Sequence, residues 1–93
     1  MVPGVLLVDV REKHEWDAGH LEGALLLPLS RLRLASAGQL RRKLPRKKIL
    51  YVHCRSGGRA IMAASLLRRH GYDARSLQAG FEALRQAGFS AAK

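Results

Sequence analysis

A chain of 93 residues with 47% hydrophobic side chains supports one domain, residues 1–93, near the lower end of what folds around a single core. Its one cysteine, Cys54, excludes a disulfide-built scaffold and a multi-cysteine metal centre, and the four histidines, His14, His20, His53 and His70, show no metal-ligand spacing. A net charge of +10 fits a solvated basic face, non-specific nucleic-acid affinity, or the steering of an anionic substrate or acidic partner, but aromatics at 5%, not interleaved with the cations, supply no platform for specific nucleic-acid binding.

Val5 to Val10 (VLLVDV) is a short apolar run bounded by Pro3 and Gly4 and by charge, which predicts a buried strand. It is too short for a signal peptide or a membrane span, so the expectation is a soluble chain in the reducing cytoplasm, where a lone thiol is at home. Arg11 to Ala18 predicts a short helix closed by Gly19, and Ala24 to Leu27 a second strand ended by Pro28. Ser30 is the predicted N-cap of a basic amphipathic helix through Leu32, Leu40 and Leu44, interrupted at Ser36 to Gly38. Pro45 to Lys48 is a charged turn. Ile49 to His53 (ILYVH) is the clearest strand. A helix from Ala60 to His70 ends with Arg68, Arg69 and His70 in its last turn and Gly71 beyond, the expected stop signal. Tyr72 to Leu77 reads as a strand and Gly80 to Ala87 as a final helix. Strands alternating with helices imply a small α/β fold: an open parallel sheet with helices on both faces.

Cys54 to Arg59 (CRSGGR) leaves the carboxyl end of the clearest strand and enters a helix, where open α/β sheets bind ligands. Gly57 and Gly58 allow a tight turn that points several N–H groups inward, and with the helix N-terminus these form an anion cradle that favours thiolate over thiol at Cys54. Arg55 and Arg59 add positive charge. A structural cysteine needs neither a Gly-Gly turn nor flanking cations, so the segment reads as a nucleophilic sulfur inside an anion pocket.

The stretch CRSGGR, preceded by Tyr51 to His53 and followed by a helix, resembles the active-site loop of rhodanese domains. Val8 to Glu12 (VDVRE) resembles that family's first signature, and Gly19 to Ala24 (GHLEGA) with Leu27 and Pro28 resembles the segment after it. The resemblance runs from about Val5 to Gly88. Two features depart from the pattern. The chain starts almost on the Asp9-bearing strand, without the family's usual preceding strand and helix, which leaves a sheet edge bare or covered by another chain. Ala79 to Leu84 (AGFEAL) keeps one glycine where the family often has Gly-Gly followed by Trp.

The resemblance implies a sulfurtransferase without cofactor or metal. Cys54 would take sulfur from a small anionic donor such as thiosulfate, hold it as a persulfide ringed by the amides of Arg55 to Arg59, and pass it to cyanide, an external thiol or an acceptor protein. Arg55 is expected on the sulfonate. For Arg59 two roles stand, holding the sulfonate or pinning the loop through its carbonyls; Ser56 either donates a hydroxyl or favours the turn. Asp9 and Arg11 are supporting residues, Asp9 orienting the loop and Arg11 in a salt bridge. His20 bonds backbone or carboxylate, and His53 points away from the loop by strand alternation. The rival readings are a Cys-dependent phosphatase or arsenate reductase, disfavoured because only four residues separate Cys54 from Arg59 where the related phosphatases have five, and a docking or sulfur-shuttle module. Oligomeric state is left open.

Overall fold

The computed structural model describes residues 4–88 and 91–92. Four strands, β1 (Val5–Asp9), β3 (Leu25–Leu26), β4 (Ile49–His53) and β5 (Ala74–Ser76), form one open sheet in the order β3-β1-β4-β5, every pairing parallel. A second, two-stranded sheet pairs β2 (His20–Leu21) antiparallel with β6 (Ala91–Ala92). The helices are α1 (Lys13–Ala18), α2 (Leu29–Leu32), α3 (Ala37–Lys43), α4 (Gly58–Arg69) and α5 (Phe81–Gln86).

Alternation along the strands builds two unequal cores. Val8 and Val10 from the β1 end, Leu50 and Val52 of β4, and Cys54 just beyond it face Leu29 and Leu32 of α2, Leu40 of α3 and Ala60, Ala63, Ala64 and Leu67 of α4. The three alanines on α4 let the helix lie close to the sheet. On the opposite face Leu7 packs with Leu21 and Leu84, flanked by Tyr51, Leu77 and Phe81. Helices therefore cover both faces, α2, α3 and α4 on one and α5 on the other.

The amphipathic stretch after Pro28 is two helices, and its caps differ from the sequence reading. Ser30 is not an N-cap: α2 begins at Leu29 behind Pro28, whose missing N–H is no loss at a helix start. The Ser30 hydroxyl donates instead to the Glu12 carboxylate. The capping residue is Ser36, whose Oγ accepts from the Gln39 N–H while the Gln39 side chain accepts from the Ser36 N–H, so the expected interruption is the start of α3. The first helix also starts later than Arg11, with the Glu15 side chain accepting from the Glu12 N–H at its start. Both sheet edges are short, two residues at β3 and three at β5, which limits the unpaired backbone they present. Among the described residues no helix is long and apolar enough to cross a membrane.

Candidate active site

The site grows from the carboxyl end of β4. In a parallel sheet all strands end on one side, and the register places Leu26, Asp9 and His53 level across β3, β1 and β4. Cys54 follows His53, and alternation sends its side chain into the larger core, where it is 1% exposed. The backbone then turns through Gly57 at φ 104°, a left-handed conformation that costs a residue with Cβ about 1–2 kcal/mol. A Cβ there would also stand 3.0 Å from the Gln78 carbonyl oxygen. This turn directs the Gly57 N–H to donate to Cys54 Sγ at 2.9 Å.

Four further loop amides, those of Arg55, Ser56, Gly58 and Arg59, have no hydrogen-bond acceptor among the described residues. The last two belong to the first turn of α4, where helical geometry leaves N–H groups free and the macrodipole presents positive potential. Sγ thus has one N–H donor and sits just before the N-terminus of a helix.

The loop is braced from two sides. Gly80 passes so close that a Cβ on it would meet the Arg55 carbonyl oxygen at 1.7 Å and the Ser56 nitrogen at 3.1 Å. The next residue, Phe81, donates its N–H to the Cys54 carbonyl at 2.9 Å. From α1, Glu15 accepts two hydrogen bonds from the Arg59 guanidinium, at 2.6 and 2.9 Å. That contact holds the Glu15 carboxyl down at about 2 from an ordinary 4.5, against an opposing push from its burial, and raises Arg59.

The structure therefore separates the residues singled out in the sequence. Arg59 is tied to a carboxylate, neither to loop carbonyls nor free in the pocket, whereas Arg55 and Ser56 are exposed. Among the described residues neither the Asp9 nor the Arg11 side chain hydrogen-bonds to the loop. The Asp9 carboxylate accepts from the Arg11 backbone N–H, Nε and Nη2 at 2.8–3.0 Å, and Nη2 also donates to the Gly19 carbonyl. The Arg11 guanidinium stacks on the Phe81 ring, 4.3 Å from its centroid, so the pair fastens β1 to the start of α5. His20 Nδ1 lies 3.0 Å from the Trp16 carbonyl and its ring stacks on Trp16. His53 projects to the face opposite Cys54, fully buried. Glu15, Gly80 and Phe81 are the residues the sequence reading missed. Glu15 had a signal only as a capping-box partner, and Gly80 as the one glycine retained in AGFEAL. Among the described residues no group of three or more His, Cys, Asp or Glu lies together as metal ligands would.

Fold and loop together define an α/β domain with a cysteine at a strand–helix turn, and comparison with known proteins places it. The model of the rhodanese-like domain matches residues 2–87, and the chain belongs to that family. It is 37% identical over 78 residues to the probable adenylyltransferase/sulfurtransferase MoeZ of Mycobacterium tuberculosis, a match covering 83% of this chain and 19% of that protein. It is 32% identical over 68 residues to a sulfurtransferase of Allochromatium vinosum, covering 73% and 59%. The chain thus spans about a fifth of the first relative and under two thirds of the second. The rhodanese-like domain of the Anabaena Alr3790 protein superposes with a TM-score of 0.82 over 96% of this chain and 99% of that one, at 23% identity, and so has the same fold.

Proposed function

We propose that this domain is a sulfurtransferase in which Cys54 carries sulfur as a persulfide between a small anionic donor and an external acceptor. The observation that carries this reading is the Gly57 N–H donating to a buried Sγ at the start of α4, with neighbouring loop amides unpaired. The sulfurtransferase names of the mycobacterial and Allochromatium relatives support it.

In the first step the Cys54 thiolate attacks the outer sulfur of thiosulfate. The Cys54–sulfur bond forms, the sulfur–sulfur bond of thiosulfate breaks, and sulfite leaves with the electron pair. The persulfide's terminal sulfur is then an anion, and the free amides of Arg55, Ser56, Gly58 and Arg59 are donors for it. In the second step cyanide or a thiolate attacks that terminal sulfur and the electron pair returns to Cys54. With one cysteine in the chain, the acceptor is another molecule. Arg55, exposed and without a carboxylate partner among the described residues, binds the donor's sulfonate. Arg59 positions the loop through Glu15. A reducing compartment such as the cytoplasm suits the free thiol.

The test is intact mass after incubation with thiosulfate and desalting. The expected result is a gain of one sulfur atom, absent from Cys54→Ser. No gain with thiosulfate or any other sulfane donor, or Cys54-dependent hydrolysis of a phosphoester, overturns the assignment.

A further inference from the structure

Beside the candidate site runs a groove of about 500 Å³ between the start of α1, the end of β3, α2 and α3. Its walls are apolar at Leu26, Leu34 and Leu40 and cationic at Lys13, Arg31 and Lys43. Glu12 is the one carboxylate on the lining, and it is engaged by the Ser30 hydroxyl. Leu34 stands 85% exposed, a large apolar side chain left in water amid cations. Residues 31–48 contain eight Arg and Lys and no Asp or Glu, and none of the eight forms an ion pair among the described residues. Much of the charge excess of the molecule thus lies in the stretch that carries α3 and the end of α2, and Arg31 and Lys43 bring it to the groove.

The position of the groove ties it to Cys54. Leu26 and His53 are level in the sheet, one strand apart on either side of Asp9. Strands lie about 4.8 Å apart, so the Leu26 backbone at the β3 end of the groove lies roughly 10 Å from that of His53, the residue before Cys54, at the same carboxyl end of the sheet. No aromatic residue lines it, so it lacks the stacking surfaces that single-stranded nucleic acid uses. Cations around an apolar floor instead complement an acidic polypeptide segment that carries an apolar side chain.

We propose that this groove docks an acidic segment of a partner protein that delivers sulfur to Cys54 or accepts it. The surface supplies electrostatic steering through Arg31 and Lys43, and Leu34 with Leu26 supplies the apolar contact that fixes register. The proposal rests on the sulfur-transfer reading above and names the class of partner for it.

The probe is a fluorescently labelled synthetic peptide of Asp and Glu with one central Leu, titrated by anisotropy against Cys54→Ser protein, so that binding is read without any persulfide chemistry. Binding that weakens with added salt is expected. Arg31→Glu and Lys43→Glu are each expected to weaken it by about tenfold, equivalent to about 1.4 kcal/mol, and Leu34→Gln by roughly threefold. Arg69→Glu makes the same charge change at an exposed position on α4 and is expected to leave the affinity within about twofold. Absence of binding overturns the proposal, as does equal weakening by Arg31→Glu and Arg69→Glu. A single-stranded RNA of matching length that binds more tightly than the peptide through the same residues overturns it in favour of nucleic acid. The outcome of thiosulfate loading is independent: lost docking with intact loading removes the groove and keeps the chemistry, whereas docking without loading by any sulfane donor removes the sulfur-transfer role.

Discussion

Gly80 shows how much of the Cys54 to Arg59 loop is set by a residue outside it. Its φ of −82° suits any amino acid, so the requirement for glycine here is close approach: a Cβ would collide with the Arg55 carbonyl oxygen at 1.7 Å. Neither partner is a flexible side chain, so relief requires backbone movement in the loop or at the start of α5. Movement of the loop would disturb the turn that aims the Gly57 N–H at Sγ. Gly80→Ala is therefore expected to cost about 1–3 kcal/mol of stability, the usual scale for overpacking, and to slow persulfide formation by about tenfold or more while the protein remains folded. Thermal unfolding and single-turnover loading with thiosulfate check both parts. Loading at the wild-type rate would show that the loop tolerates the displacement.

At the scale of elements, α1 is joined to the loop by the Glu15–Arg59 pair, which spans 44 positions of sequence. The Glu15 carboxyl titrates at about 2 in the fold against an ordinary 4.5. Because the folded value is depressed, the stabilisation is fully present above pH 4.5 and is lost as pH falls through about 2. Glu15→Gln is expected to lower stability at neutral pH by about 1 kcal/mol, below the roughly 1.5–3 kcal/mol of hydrogen bonds to charged groups because solvent screens the partly exposed Arg59, and to lose less than wild type as pH drops from 4.5 towards 2. Denaturant unfolding at a series of pH values checks this, and parallel curves for the two proteins would refute it. Such long-range pairs mark the limit of what the chain discloses by inspection. The strands around Leu50 and Val8 were legible because an apolar run bounded by turn residues has few alternatives. Cys54 to Arg59 was legible because glycines, cations and a thiol were contiguous. The helix start after Pro28 was ambiguous because Ser30 and Ser36 both satisfy local capping rules, and the difference lies in Glu12, which claims the Ser30 hydroxyl from 18 positions away. The loop contacts of Glu15 and Gly80 were not legible, because their partners meet them only in the folded chain.

At the scale of the whole molecule, the net charge of +10 sets a positive background that opposes any further protonation. The group most exposed to that consequence is His53, which is 0% solvent-accessible and whose two ring nitrogens have no hydrogen-bond partner among the described residues. Burial, opposed by Asp9 and aided by Arg11, lowers its pKa from the usual 6.5. The unfolded chain therefore binds a proton that the fold rejects. Stability is at its plateau above pH 6.5 and falls as pH drops below that value towards the lower folded pKa, the sign expected for a histidine buried neutral. His14 is exposed and His20 and His70 are half-buried, so His53 is the one fully buried imidazole among the described residues. Removing the imidazole also removes two buried polar atoms without partners, each an expense of about 1–3 kcal/mol in a folded protein. His53→Leu is accordingly expected to be at least as stable as wild type at pH 7 and to keep its midpoint nearly constant between pH 6.5 and 5, where wild type declines. Denaturant midpoints across that range decide it. Because the dominant cause is desolvation, which salt screens far less than it screens surface charge, the wild-type decline is expected to persist in high salt; its disappearance there would assign the effect to the basic surface instead of the buried ring.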